Sequence, residues 1–315
     1  MSVATRPVSG NKAQRPVENR ISVPVGRKGF SFPDLLIHAV LVLFAILTIF
    51  PFYYVVIISF VDQQALYRIP VYLLPFSVDL TSYRVLFSDV SVLRGLFVSL
   101  FVTVSGTLFN MVLTVTSAYS LSHRELPLRK LWMGLILFTM FFGGQLIPYY
   151  LTIKSLGLVN NLLVMVVPAA INTFYLIILK SYFQGIPDSL GESARIDGAG
   201  DLTILIRIVL PISMPILATF ILFYAVERWN EWWLAMIFIS KPRLKPLQIV
   251  LREVISSMST LSGSIGKTIA QQEKGITIQS FRMAMVVLTT LPILCVYPFL
   301  QRYFTTGIMV GSIKG

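Results

Sequence analysis

Long apolar runs alternate with short polar segments along most of this chain. Six of these runs reach the length of about 20 residues that an α-helix needs to cross a bilayer. Backbone groups inside lipid must find hydrogen-bond partners within their own segment, so these runs predict helices. The predicted spans are 35–60, 93–121, 131–153, 158–180, 211–240 and 282–304.

The composition indicates that lipid is the solvent for most of the chain. Of the 315 residues, 55% are hydrophobic and only 13% are charged. A soluble domain carries about 25% charged residues, so this composition excludes a soluble enzyme. The pattern and the composition together predict an all-α integral membrane protein with six transmembrane helices.

Basic residues outnumber acidic ones, with 26 Lys and Arg against 14 Asp and Glu and a net charge of +12. They lie between the apolar runs rather than in one patch, which is typical of membrane-protein loops near lipid headgroups and argues against a nucleic acid partner. Residues 1–33 are polar and basic, and predict a cytoplasmic tail before a transmembrane domain over 34–315. By a narrow margin, the Lys and Arg counts place both termini in the cytoplasm and the polar segment 241–281 outside.

The segment between the fourth and fifth predicted spans, residues 181–210, contains more local structure than a linker needs. Ser189 and Glu192 have the spacing of a capping box, which predicts the start of a helix. Gly198 predicts the end of that helix, because glycine adopts the left-handed conformation easily. Asp201 is a candidate cap for a second helix that leads into the fifth span. The result is a short cytoplasmic bracket of two helices.

This bracket resembles the signature cytoplasmic loop of the permease subunits of ABC importers. That signature has Glu-Ala-Ala, two further residues, Asp-Gly-Ala and, about eleven residues later, Leu-Pro. Ser193 replaces one alanine of the pattern, and Leu205 stands where a Phe is common. The residues that match in register are Glu192, Ala194, Asp197, Gly198, Ala199, Ile208, Leu210 and Pro211.

The resemblance implies that the bracket holds a coupling helix, which sits in a cleft of a cytoplasmic ATPase subunit. Glu192 and Asp197 can then pair with basic groups, and the small alanines allow close approach. A capped amphipathic surface helix without a partner is the alternative. The coupling residues carried over by position are Glu192, Ser193, Ala194, Asp197, Gly198 and Ala199.

The resemblance extends over the whole chain to carbohydrate permeases of the maltose-transporter type. Residues 223–233 are similar to the Trp-Asn region of sugar permeases, and the ending 307–315 is similar to the aldouronate subgroup, which serves complex and uronate-containing glycans. The implied partners are a second homologous permease subunit, two cytoplasmic ATPase subunits and an extracellular solute-binding lipoprotein. The resemblance implies the bacterial cytoplasmic membrane, an oligosaccharide substrate and no cofactor on this chain, since ATP and Mg²⁺ belong to the ATPase.

Ionisable and aromatic residues crowd the predicted fifth span. Ionisable groups inside a bilayer are costly and usually face a wet cavity or a partner. One interpretation is an ion pair that locks two helices together. The other is a substrate path, in which polar groups bind sugar hydroxyls and rings cover sugar C–H faces. The candidate path residues are Tyr224, Glu227, Arg228, Trp229, Asn230, Glu231 and Trp232.

Residues 263–268 resemble the end of a phosphate-binding loop, but the required early glycine is replaced by Leu261. The sequence therefore assigns ATP hydrolysis to a separate chain and predicts a transport subunit, not an enzyme. A permease for another solute class, an intramembrane enzyme and a channel subunit remain as alternatives. Neither a His-Glu-x-x-His nor a Gly-x-Ser-x-Gly motif supports the enzyme.

Overall fold

The computed structural model describes residues 32–61, 78–142, 144–257 and 278–312, and its regular elements there are helical, as predicted. Short 3₁₀ turns lie at Leu162–Met165 and Pro242–Leu244. The helices are α1 (Phe32–Ser59), α2 (Thr81–Ser88), α3 (Val90–Ser122), α4 (Arg129–Phe141), α5 (Leu146–Ser155), α6 (Thr173–Gln184), α7 (Asp188–Ile196), α8 (Asp201–Ile212), α9 (Met214–Trp229), α10 (Trp233–Phe238), α11 (Leu247–Ser257) and α12 (Ile278–Ser312).

Several predictions concern segments outside the described residues. These segments are nearly all of the N-terminal tail, the loop with the phosphate-loop-like residues 263–268, and the last three residues of the C-terminal ending.

Three helices are long and apolar enough to cross a membrane: α1, α3 and the Gln279–Val296 part of α12. Two further candidates are bent pairs, because α4 meets α5 at 116° and α8 meets the following Met214–Phe238 segment at 88°. By length and composition, the described residues therefore contain three candidate spans, or up to five if each bent pair counts as one. A topology of six spans stays a prediction.

The predicted fourth span, 158–180, is wrong as a continuous helix. The chain forms the 3₁₀ turn Leu162–Met165, and α6 begins only at Thr173. Asn161 and Asn172 each accept a hydrogen bond from a backbone N–H of the following turn, so each starts a new helical segment. Pro168 lies between them and has no backbone N–H to continue a helix.

The predicted fifth span, 211–240, is also interrupted. The sharp bend lies at Ser213, between Pro211 and Pro215, which remove two backbone donors from the helical ladder. A second break separates α9 from α10 at residues 230–232.

The long helix α3 lies at the centre of the second compact unit, residues 51–315, and contacts α6, α9 and α11. One buried apolar cluster joins α3, α6, α8 and α9. A second cluster joins α2, the start of α3, α11, α12 and the last residue of α9. The two clusters hold α9 against α3 at both ends, which sets the positions of the candidate path residues.

Candidate functional site

The bracket over 181–210 has the predicted form of two helices and a tight turn. Gly198 follows α7 with a φ of +83°, in the left-handed region that glycine occupies without strain. The backbone N–H of Ala199 donates to the carbonyl of Ala194 at 2.9 Å, which closes the turn. The predicted role of Gly198 as the end of the first helix is confirmed.

The two predicted side-chain caps of the bracket are wrong. Ser189 lies inside α7, where its carbonyl accepts a hydrogen bond from the Ser193 hydroxyl at 2.9 Å, and no side chain caps the helix start. The Asp201 carboxylate accepts from Arg195 Nη2 at 3.0 Å, so it bridges the turn instead of capping α8. This hydrogen bond raises the pKa of the Arg195 guanidinium above its ordinary value. Both groups are exposed, so solvent screens the pair.

The proposed coupling residues lie on two sides of the bracket. Ala194 and Ala199 are half-buried against the cluster of α3, α6, α8 and α9, so their small size serves packing within this chain. Glu192 and Asp197 are exposed, and neither carboxylate has a hydrogen bond or ion pair among the described residues. The sequence analysis missed Ile196, which is 87% exposed at the end of α7.

Arg228 is buried near the end of α9, against the broken segment between α5 and α6. Its Nη1 donates to the Met165 carbonyl at 2.6 Å, and its Nη2 donates to the Ala169 carbonyl at 2.5 Å. The Glu231 carboxylate lies 3.9 Å from Nη1. With its amide oxygen turned to the guanidinium, Asn110 accepts from Nε at 3.2 Å and from Nη2 at 3.1 Å. The guanidinium therefore joins α3, α9 and the broken segment.

Gly106 makes room for the stem of Arg228 on α3. A Cβ atom at this position would lie 2.9 Å from Arg228 Cδ and 3.1 Å from Cγ, closer than normal van der Waals contact. The amide of Asn110, turned as above, donates to the Gly106 carbonyl at 2.9 Å. The glycine and the asparagine lie one turn apart and form the α3 side of the Arg228 site.

Tyr224 and Trp229 also have partners inside the chain. The Tyr224 hydroxyl shares a hydrogen bond of 2.7 Å with Thr114 and accepts one of 3.1 Å from the backbone N–H of Asn172. Trp229 is 4% exposed, and its indole N–H donates to the Thr289 carbonyl at 2.9 Å. Together with Arg228, these residues connect helices through their hydrogen bonds.

The other candidate path residues are more accessible. Glu227 is exposed and accepts a hydrogen bond of 2.5 Å from the Tyr175 hydroxyl, whose ring lies in an aromatic cluster with Phe220 and Tyr224. Asn230 and Trp232 are exposed at the break after α9. Glu231 is half-buried and accepts from the backbone N–H of Leu234 at 2.9 Å, next to the start of α10.

The sequence analysis missed two residues that α11 brings to this break. Gln248 Nε2 donates to Asn230 Oδ1 at 3.3 Å. The guanidinium carbon of Arg252 lies 4.8 Å from the ring centroid of Trp232. Only a spacing of four along a helix relates Gln248 to Arg252, which is too weak a pattern to identify a site.

Similar sequences and a similar solved structure point to one family. No family model matches the chain. It is 41% identical to the polygalacturonan/rhamnogalacturonan transport system permease protein YtcP of Bacillus subtilis, over 90% of this chain and 98% of the relative. It is also 41% identical to protein LplC of Bacillus subtilis, over 85% of this chain and 90% of the relative.

Among solved structures, the chain is similar to one from the crystal structure of a bacterial ABC transporter involved in the import of the acidic polysaccharide alginate. The TM-score is 0.81 at 31% sequence identity, over 88% of this chain and 99% of that one. This fold and the sequence similarities confirm the family that the sequence of the bracket indicated. The chain belongs to the permease subunits of ABC transporters, which are integral membrane transport proteins and not enzymes.

Proposed function

We propose that this permease belongs to an ATP-driven importer that carries a uronate-containing oligosaccharide across the bacterial cytoplasmic membrane. The observation that carries this proposal is the strong likeness to a polygalacturonan/rhamnogalacturonan permease, together with the likeness to an importer of acidic alginate. Both names include polymers of sugar acids. The N- and C-termini then face the cytoplasm, and the bracket over 181–210 faces the ATPase.

The proposed partners are a second homologous permease, two cytoplasmic ATPase subunits that hold ATP and Mg²⁺, and an extracellular solute-binding lipoprotein. The exposed side of the bracket supports a docking role. Glu192 and Asp197 offer carboxylates without partners among the described residues, and Ile196 adds an exposed apolar side chain between them. An isolated surface helix gains nothing from an isoleucine in water.

The proposed substrate path uses the accessible members of the candidate set. Glu227, Asn230 and Trp232 are exposed and can bind hydroxyl groups or cover a sugar ring. Tyr224, Arg228 and Trp229 support the helices behind them through the hydrogen bonds described above. Glu231 is assigned to the path and to its support. It is half-buried, lies near Arg228 and accepts a hydrogen bond at the start of α10.

The test of this function is uptake by the reconstituted transporter. The permease is placed in proteoliposomes with the second permease, the ATPase subunits and the solute-binding protein proposed above. We expect ATP-dependent uptake of oligogalacturonides and stimulation of ATP hydrolysis by the loaded binding protein. Uptake confined to a neutral oligosaccharide, or to a different solute class, would contradict the proposed substrate.

Trp229 and Asn230 are neighbours with different expected effects. Trp229→Ala removes a buried ring and its hydrogen bond to α12, at a cost of about 3–5 kcal/mol, so we expect less folded permease in the membrane. Asn230→Ala removes an exposed amide, so we expect normal assembly and impaired uptake. Co-purification of the subunits and uptake kinetics separate the two effects. Normal uptake by Asn230→Ala would contradict the assignment of this amide to the substrate path.

A further inference from the structure

The surface between the break after α9 and helix α11 combines aromatic, amide and cationic groups, and is called here the Arg252 patch. It consists of Asn230, Trp232, Trp233, Gln248 and Arg252. The two indole rings meet edge to face at 5.6 Å, and both are exposed. The Arg252 guanidinium lies over the Trp232 ring, and the two amides share a long hydrogen bond of 3.3 Å.

Helix α11 holds the patch at a fixed distance from α3. Its buried face packs on Gly95, where a Cβ atom would lie 3.3 Å from the Leu247 backbone and 3.1 Å from Val250. The backbone N–H of Leu247 donates to the Ser99 hydroxyl at 2.9 Å, with both atoms buried. Gln248 and Arg252 follow on the opposite, accessible side of the same helix, so they are preorganised rather than carried by a loop.

Among the described residues, no neighbour neutralises the charge of Arg252. Its adjacent residue Glu253 pairs with Lys245 instead. No carboxylate of the described residues lies within 4.0 Å of the Arg252 guanidinium, and none of them accepts a hydrogen bond from it. Arg228 and Arg195, by contrast, each have a carboxylate and hydrogen-bond partners within the chain.

These groups match the chemistry of a sugar acid. A guanidinium presents a planar pair of donors to a carboxylate, and this pairing is stronger and more directional than a neutral hydrogen bond. Indole rings cover the C–H face of a pyranose, and amides bind its hydroxyl groups. A neutral hexose has the C–H face and the hydroxyl groups but lacks the carboxylate.

We propose that the Arg252 patch is a subsite that recognises the carboxylate of a uronate unit. This inference rests on the proposed function, because it names the residue that distinguishes an acidic oligosaccharide from a neutral one. Arg252 pairs with the carboxylate, Trp232 covers the ring, and Gln248 and Asn230 exchange their mutual hydrogen bond for sugar hydroxyls. Gln248 and Arg252 lie in the segment 241–281 that is predicted to face outside, so the patch is placed where an arriving sugar first meets this subunit.

The test compares Arg252→Gln with wild type in the complete transporter, using an oligogalacturonide and its neutral methyl ester. A charge-assisted pair implies a rise in the KM for the acid of about tenfold or more. We expect an unchanged KM for the ester and an unchanged kcat for both. Arg243→Gln, an exposed arginine of the same connection, serves as the matched control and leaves both KM values unchanged.

Three outcomes would overturn the inference. Equal effects of Arg252→Gln on acid and ester show that the residue does not recognise the carboxylate. An effect that disappears in vesicles of purely zwitterionic lipid shows that the patch binds anionic lipid headgroups instead. If wild-type transporter takes up neither sugar, the proposed function fails and the inference falls with it, whereas failure of the inference alone leaves wild-type uptake of the acid intact.

Discussion

Arg228→Met is expected to remove most of the folded permease from the membrane. Methionine keeps part of the stem volume but leaves the carbonyls of Met165 and Ala169 without their buried donor and the Glu231 carboxylate without its ion-pair partner. Loss of one partner from a buried charged network costs about 3–5 kcal/mol, a large share of the stability of a typical protein. Thermal unfolding of the detergent-purified protein, followed by size-exclusion chromatography, measures the loss.

Arg243→Met is the matched control for this change, because Arg243 is exposed in the 3₁₀ turn after α10. It removes the same charge and is expected to leave the unfolding temperature unchanged. Gly106→Ala provides a second approach to the same contact, since its Cβ would press on the Arg228 stem at 2.9 Å. A wild-type unfolding temperature in Arg228→Met would show that the guanidinium does not hold α3, α9 and the broken segment together.

Gly198→Ala is expected to cut uptake and transport-coupled ATP hydrolysis while the protein stays in the membrane. The φ of +83° places this residue in the left-handed region, where a Cβ atom costs about 1–2 kcal/mol. Gly198→Pro is expected to abolish coupling, because proline fixes φ near −65°. Either change alters the angle between α7 and α8 and so displaces the carboxylates proposed to meet the ATPase. Uptake and coupled ATP hydrolysis in proteoliposomes measure the effect.

Gly200→Ala is the matched control in the same turn. It also has open space around a Cβ atom, but its φ of −77° suits any residue. Glu192→Ala tests the docking surface without disturbing the turn, because that carboxylate is exposed and has no partner among the described residues. Normal coupling in both Gly198→Ala and Glu192→Ala would refute the assignment of this bracket to the ATPase interface.

The residues of the bracket that match the family pattern do not all have the same role. Ala194 and Ala199 face the core of this chain. Larger residues at these positions would therefore disturb the packing of the bracket on its own chain rather than a contact with a partner. The exposed Ile196 lies between the two free carboxylates, a position that the family pattern alone does not emphasise. The bracket therefore separates an inner face made of small residues from an outer face with charge and one apolar side chain.

Local features of the sequence were sufficient to predict the membrane class, the long helices and the turn at Gly198. The apolar run 93–121 predicts α3 within three residues at its start and one at its end, because hydrophobic length alone determines a span. The helix end at Gly198 depends on the φ preference of one residue. Runs interrupted by prolines and asparagines were less predictable, since hydropathy averages over single breaks such as Pro168 and Asn172.

The tertiary structure decided which polar residues are accessible. In the sequence, Arg228 and Asn230 lie two positions apart in one apolar segment, yet Arg228 is buried in a hydrogen-bonded network and Asn230 is exposed. Burial at each position depends on the helix that packs against that face, and this information is distributed over residues more than 50 positions away. For the same reason the contact between Trp232 and Arg252 could not be foreseen, because α11 must first pack on Gly95 of α3 to bring the two side chains together.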